Sequence, residues 1–204
     1  MHRPFTSIEL TTMTICRVKQ LLAAAVLVAG TGYAAQAQEY VSPAKGKPVE
    51  AGKAPGMKVK LLSTNGQTKT YVLVFAKNDE VMSGLTDFAR TYNVKSEHYQ
   101  AIGDALSAKI GVYDYGRKQF KVIPITEPCE VTSLTGDIAV LNGQPAPHSH
   151  LNLAAADGSV RGGHLLELVI GPTLELFVTV EPTPLYKRLN EEFDANVIDP
   201  ALNK

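Results

Sequence analysis

The sequence HSHLNLAAADGSVRGGH, residues 148–164, decides how the most distinctive part of this chain folds. Its centre, residues 156–158 (ADG), is typical of a three-residue hairpin loop, in which a type I turn is followed by glycine in the left-handed conformation. Counting back along both strands from such a loop sets His150 opposite His164. Opposed residues of antiparallel strands share a face, and His148 points the same way because it precedes His150 by two residues. The stretch therefore predicts a β-hairpin with three histidines on one face.

Two alternatives stay open within this stretch. A two-residue loop would place His164 on the opposite face of the hairpin. A bulge at Gly162-Gly163 would shift the pairing by one residue, and the same glycines would let another backbone approach closely. The position of His164 relative to the other two histidines therefore depends on the geometry of the loop.

Three imidazoles on one face predict a site for one divalent transition metal, most simply zinc, because imidazole is the commonest protein ligand for zinc-like metals. Three neutral imidazoles leave a tetrahedral ion with one open position, which water, an anion or a carboxylate can occupy. His98 is a candidate fourth participant from a neighbouring strand. The alternative is that these are ordinary histidines, exposed or bonded to backbone.

A β-rich apolar run and a helix precede the hairpin. The run TYVLVFA, residues 70–76, predicts a buried strand. Asn78 or Asp79 is predicted to cap the helix that follows, and Asn93 to end it. Between them an apolar stripe recurs at helical spacing, which indicates packing against a sheet.

Short strands separated by turn residues make up the rest of the domain. The turns lie at residues 114–117 and 135–137 and at Asn142-Gly143, and short turns favour antiparallel pairing. One helical turn is predicted over residues 186–193. The class is therefore α+β, a single compact domain with a curved, mainly antiparallel sheet and one main helix. Strands are predicted over residues 94–102, 105–113, 119–125, 130–134, 138–141, 148–155, 160–170 and 173–180.

The amino terminus has the features of a secretory signal peptide. Arg17 and Lys19 precede an apolar run at residues 21–29, and the AQA of residues 35–37 forms an A-x-A cleavage site. The run is too short to cross a bilayer. We expect cleavage after residue 37, export to the periplasm or the medium, and no membrane attachment afterwards. Met13 also fits as the true start.

The predicted organisation is a signal peptide over residues 1–37, a flexible leader over 38–56, a domain over 57–192 and a tail over 193–204. Cleavage leaves 17 basic and 19 acidic side chains, a net charge of −2. Such a domain lacks the basic footprint of a nucleic-acid-binding protein. Cys129 becomes the only cysteine, which excludes an internal disulfide and favours a small buried side chain.

Five linked motifs occur in this order: EVTSLTGDIA (residues 130–139), Asn142-Gly143, HSH (148–150), Asp157-Gly158 and GGHLLE (162–167). Together they resemble the plants and prokaryotes conserved (PPC) domain over roughly residues 57–179. The resemblance implies a compact α+β domain, assembly as a homotrimer, and a metal site at His148, His150 and His164. Plant members lie beside AT-hooks, and other members carry a DNA-binding label by association with them. This chain lacks the Arg-Gly-Arg-Pro hook, which disfavours that function.

Three functions remain open at this point. The first is a trimeric binding module that holds the metal and a small anionic ligand. The second is a hydrolase or lyase that uses metal-bound water and needs a general base. Strand alternation directs Glu167 to the face opposite His164. The positions of the other candidate bases, Glu97 and Asp104, relative to the histidines are not predicted. The third is an interaction protein whose histidines only join the subunits. The chain has no Ser-His-Asp order, phosphate loop or nucleotide fingerprint.

Overall fold

A computed structural model describes residues 37–45 and 49–203 of the chain. The predicted signal peptide therefore lies outside the described residues, apart from Ala37. No helix in the described part is long and apolar enough to cross a membrane. The described elements are β1 (Tyr40–Val41), β2 (Lys58–Asn65), β3 (Thr68–Ala76), α1 (Val81–Thr91), β4 (Ser96–Asp114), β5 (Gln119–Ile125), β6 (Cys129–Leu141), β7 (Gln144–Ala154), β8 (Val160–Val180), β9 (Lys187–Asn190) and β10 (Ala195–Ile198).

Eight of these strands form one antiparallel sheet in the order β1-β5-β4-β6-β7-β8-β3-β2. Because β4 also pairs with β8, strands β4, β6, β7 and β8 form a closed ring of pairings, and the sheet must curve to close it. Strands β9 and β10 form a separate hairpin. The predicted α+β class, with a curved antiparallel sheet and one main helix, is confirmed.

The core lies between the inner face of this sheet and helix α1. Strand β3 alternates, so that Tyr71, Leu73 and Phe75 point inward and are buried. Leu85 and Phe88 on the apolar stripe of α1 meet them, with the rings of Tyr71 and Phe88 edge to face at 5.4 Å. Cys129 is also buried, as predicted.

The helix ends as predicted but begins one or two residues later than expected. Asn93 takes a left-handed φ of 51° just beyond the C-cap and stops the helix. The N-cap is Glu80, whose carboxylate accepts from the backbone N–H groups of Met82 and Ser83. Asp79 accepts instead from the backbone of Gly56 and Ala76. The prediction of Asn78 or Asp79 as the cap was therefore wrong.

Three pairs of predicted short strands are single long strands. Residues 94–102 and 105–113 belong to β4, 130–134 and 138–141 to β6, and 160–170 and 173–180 to β8. The glycines between them mark bends and close contacts rather than turns. At Gly103 the pairing register shifts, and a Cβ atom there would lie 2.3 Å from the carbonyl oxygen of Thr173. Gly136 likewise lies against the Tyr99 ring.

The segments that flank the sheet also carry structure. The predicted helical turn over residues 186–193 was wrong, because Tyr186 bridges to Val140 and the chain then forms the β9–β10 hairpin. This hairpin occupies part of the predicted tail. In the segment predicted as a leader, β1 pairs with β5, and the side chains of Val49 and Ala54 pack against the core.

Candidate metal centre

Strands β7 and β8 form the predicted hairpin with the predicted register. His150 pairs with His164, and the pairing continues without a shift to the loop. The backbone N–H of Ala155 donates to the carbonyl of Ser159 at 2.9 Å, and Gly158 has a φ of 79°. The three-residue loop is thus confirmed, and neither the two-residue loop nor the bulge occurs.

The three histidines converge on one point outside the sheet. Their ring centroids lie 5.1 to 5.4 Å apart, and one ring nitrogen from each residue lies within 4.8 Å of the other two. Ligand nitrogens about 2.0–2.1 Å from a zinc ion are closer together than 4.8 Å, so the rings would have to move inward to bind one. Nδ1 of His164 is buried and has no hydrogen-bond partner. The donor set and this unpartnered nitrogen both fit a metal ion.

The surroundings of His164 keep its ring neutral. Phe120 stacks on the imidazole with centroids 4.3 Å apart and planes 6° apart. Gly111 makes room for that stack, because a Cβ atom there would lie 2.9 Å from Phe120. Burial, followed by the neighbouring His148 and His150, lowers the pKa of His164 to about 3. Burial also lowers the pKa of His150. At neutral pH the ring of His164 therefore carries no charge and has a lone pair free on one of its two nitrogens.

His148 faces a carboxylate on its other side. Oδ2 of Asp137, on β6, lies 3.5 Å from Nδ1 of His148, and Nζ of Lys187, on β9, lies 2.9 Å from Oδ1 of the same carboxylate. The lysine also donates to the carbonyl of Ala146 at 2.9 Å. Burial alone would raise the pKa of Asp137, but His148 and Lys187 outweigh it and lower that pKa. Asp137 is therefore ionised beside the imidazole.

The other predicted participants stay outside the cluster. His98 is exposed on β4, where it pairs across the strands with Asp137. Glu97 points into the protein and is 3 % exposed, and burial followed by the charge of Asp137 raises its pKa to about 8. Glu167 binds Lys109 at 3.1 Å, and Asp104 pairs with Glu130 at the far end of β6. Within the described residues, the group with metal-binding geometry contains only His148, His150 and His164.

Sequence reasoning missed the residues that support the site. Asp137 was assigned to a turn. If strand β6 continues through residues 135–137, counting back from the Asn142-Gly143 turn sets Asp137 opposite His148. That count was available from the sequence. Lys187 and Phe120 gave no comparable signal, because their contacts depend on how distant strands pack.

Comparisons with known proteins identify similar chains and similar folds. A family model described as the Plants and Prokaryotes Conserved (PCC) domain matches residues 62–181. A candidate DNA-binding protein from Ralstonia eutropha, solved by crystallography, is 33% identical with a TM-score of 0.62, covering 69% of this chain and 95% of its own. A plant- and prokaryote-conserved protein from Pyrococcus horikoshii is 23% identical with a TM-score of 0.62, covering 69% and 99%.

A third solved structure has a similar fold. A protein from Archaeoglobus fulgidus described as metal-containing is 24% identical to this chain with a TM-score of 0.60, covering 70% of this chain and 96% of its own. No curated protein matches the chain significantly.

Proposed function

The chain belongs to the Plants and Prokaryotes Conserved domain family, and on that premise we propose that it is an exported trimeric protein that binds one divalent metal per subunit. The ligands are His148, His150 and His164, and the metal is zinc. The observation that carries the proposal is the convergence of three ring nitrogens within 4.8 Å of one another. The family relative described as metal-containing supports it.

A binding module is the role that the site supports best. When bound, the metal supplies a Lewis-acid centre with one open position, which suits a small anionic ligand. A hydrolase or lyase would also need a general base at that position. The carboxylates of Glu167 and Glu97 are directed elsewhere, and Asp137 already faces His148 and Lys187. We therefore favour ligand binding over catalysis.

Zinc titration tests the proposal, and the expected stoichiometry is one ion per subunit. Consider first a site of three histidines that all have the ordinary imidazole pKa near ~6.5. Lowering the pH from 7.5 to 5.5 would reduce its zinc affinity by about 10-fold for each histidine, or roughly 1,000-fold in total. Because His164 has its pKa near 3 and that of His150 is also lowered, we expect a loss of at most about 100-fold. Calorimetry across this pH range measures it. Absence of binding would overturn the proposal, and a loss near 1,000-fold would show that His164 titrates normally.

Trimer formation rests on the family resemblance and on an exposed apolar surface. Ile102 on β4 and Phe177 on β8 are 63% and 47% exposed and lie on the outer face of adjacent strands. An apolar patch of this kind is suited to burial between subunits. We expect light scattering to give the mass of three subunits at micromolar concentration. The mass of a single subunit under those conditions would contradict the proposed assembly.

We propose export to the periplasm or the medium from the predicted cleavage after Ala37. Nucleic acid is not a proposed partner, although two similar structures carry a DNA-binding description. The chain left after cleavage has a net charge of −2, and phosphate contacts from basic side chains dominate DNA affinity. The charge therefore argues for a small ligand rather than for a duplex.

A further inference from the structure

We infer that Lys187 is a positioning residue of the metal site, which holds Asp137 in the orientation where its carboxylate faces Nδ1 of His148. The inference rests on the proposed function and deepens it. It assigns part of the site to the C-terminal arm, residues 182–203, which lies beyond the family match at residues 62–181. The arm would then determine how well the site holds its metal.

The contacts form a chain from the arm to the ligand. Nζ of Lys187 lies 2.9 Å from Oδ1 of Asp137, and Oδ2 of the same carboxylate lies 3.5 Å from Nδ1 of His148. The lysine is fixed by a second contact, its hydrogen bond to the carbonyl of Ala146. Its side chain is only 4% exposed, so the ammonium group has little access to water. A buried ammonium with two fixed partners is a rigid support for the carboxylate.

The arm itself is anchored to the domain. The backbone of Leu185 accepts from Val140 at 2.8 Å and donates to Lys95 at 3.1 Å. Farther along, the Tyr113 hydroxyl donates to the carbonyl of Phe193 at 2.7 Å, and Ser42 donates to the carboxylate of Asp194 at 2.8 Å. These contacts secure the strand that carries Lys187 on both sides, so the lysine reaches Asp137 from a fixed position.

The expected effect on the metal follows from the imidazole. A metal-binding histidine works best when its other ring N–H donates to a carboxylate or carbonyl, which fixes the tautomer and the ring orientation. A proton on Nδ1 of His148 leaves Nε2 free for the metal. Without Lys187, the buried Oδ1 of Asp137 has no charged partner, and an unpaired buried carboxylate is costly. The carboxylate then turns toward water and away from His148.

Zinc affinity of the full chain tests the inference in a double-mutant cycle. Lys187→Met keeps the length and apolar stem of the side chain, and Asp137→Asn keeps the shape of the carboxylate. We expect each change to weaken zinc binding by about 10-fold or more, as changes to such supporting residues do. We expect the double variant to be no weaker than either single variant, because Lys187 acts through Asp137. Lys187→Gln serves as the second variant if Lys187→Met fails to fold.

Arg188→Met is the matched control. Arg188 is the next residue of β9, is 67% exposed and pairs with Asp199, so the variant removes one positive charge from the same arm without touching Asp137. We expect its zinc affinity to equal that of the wild type. Wild-type affinity in Lys187→Met, or losses that multiply in the double variant, would overturn the inference.

Nitrogen NMR of the metal-free protein separates this inference from the proposed function. Above pH 7, we expect the His148 ring to carry its proton on Nδ1 in the wild type and a mixture of tautomers in Lys187→Met. This measurement needs no metal. If the wild type fails to bind zinc, the proposed function is wrong, but the His148 tautomer still tests whether Lys187 positions Asp137. A His148 tautomer that is the same in both proteins would overturn the inference.

Discussion

Replacing His164 with alanine is expected to remove nearly all of the zinc from the protein while leaving the sheet folded. Structural zinc sites with four ligands bind with about 10–16 kcal/mol, so one ligand contributes about 3 kcal/mol, or roughly 100-fold or more in affinity. The sheet survives because the side chains of Leu165 and Leu151, next to the ligands, point to the opposite face and are buried in the core. The folded protein loses the stacking of Phe120 on the imidazole, about 1 kcal/mol, and the other packing contacts of this largely buried ring.

His98→Ala is the control for this experiment. His98 is an exposed histidine on the same outer face, two strands from His148, and it lies outside the converging group. After zinc loading and gel filtration, elemental analysis should find about one zinc per subunit in the wild type and in His98→Ala, and almost none in His164→Ala. Far-UV circular dichroism should be the same in all three. Equal zinc in the wild type and His164→Ala would show that these are ordinary histidines.

The clustering of the three histidines could be predicted from the sequence because one loop determines it. The ADG turn of residues 156–158 sets the register, and the side-chain period of two then puts His148, His150 and His164 on one face. Local turn chemistry was therefore enough. The same rule applied to Asn142-Gly143 would have found Asp137 opposite His148, had residues 135–137 been recognised as part of a strand.

The rest of the site depends on contacts between elements that are distant in the chain. Gly136 was assigned to a turn, and Gly103 lay between two predicted strands. Both glycines lie inside long strands, where a neighbouring backbone or ring leaves no room for a Cβ atom. That reason is visible only after the strands have packed. Lys187 also reaches Asp137 only because Tyr186 bridges to Val140, which places the arm beside β6. Composition and periodicity carry no information about such a contact.

A second large effect is expected at Glu97, whose ionisation should destabilise the fold as the pH rises. Both carboxylate oxygens of Glu97 are buried without a hydrogen-bond partner. Burial, followed by the charge of Asp137, raises the pKa of this group from 4.5 to about 8. Between these two values the folded protein keeps a proton that the unfolded chain has released. The free energy of unfolding therefore falls as the pH rises through this window, and the contribution is lost above about pH 8.

The difference between wild type and Glu97→Gln isolates this contribution. Glutamine keeps the shape of the side chain and cannot ionise, so the variant should gain about 3–5 kcal/mol relative to wild type between pH 5 and pH 9. His164 has the opposite effect on the pH dependence of the free energy of unfolding, because its lowered pKa gives stability that is lost as the pH falls below ~6.5. Both proteins contain His164, so its contribution cancels in the difference between them. Urea unfolding of the metal-free proteins at several pH values measures the difference. Glu130→Gln removes an exposed carboxylate from the neighbouring strand β6 and should show no such trend. The prediction is wrong if the free energies of unfolding of Glu97→Gln and the wild type change in parallel between about pH 5 and pH 9. In that case Glu97 ionises in the folded protein as it does in the unfolded chain.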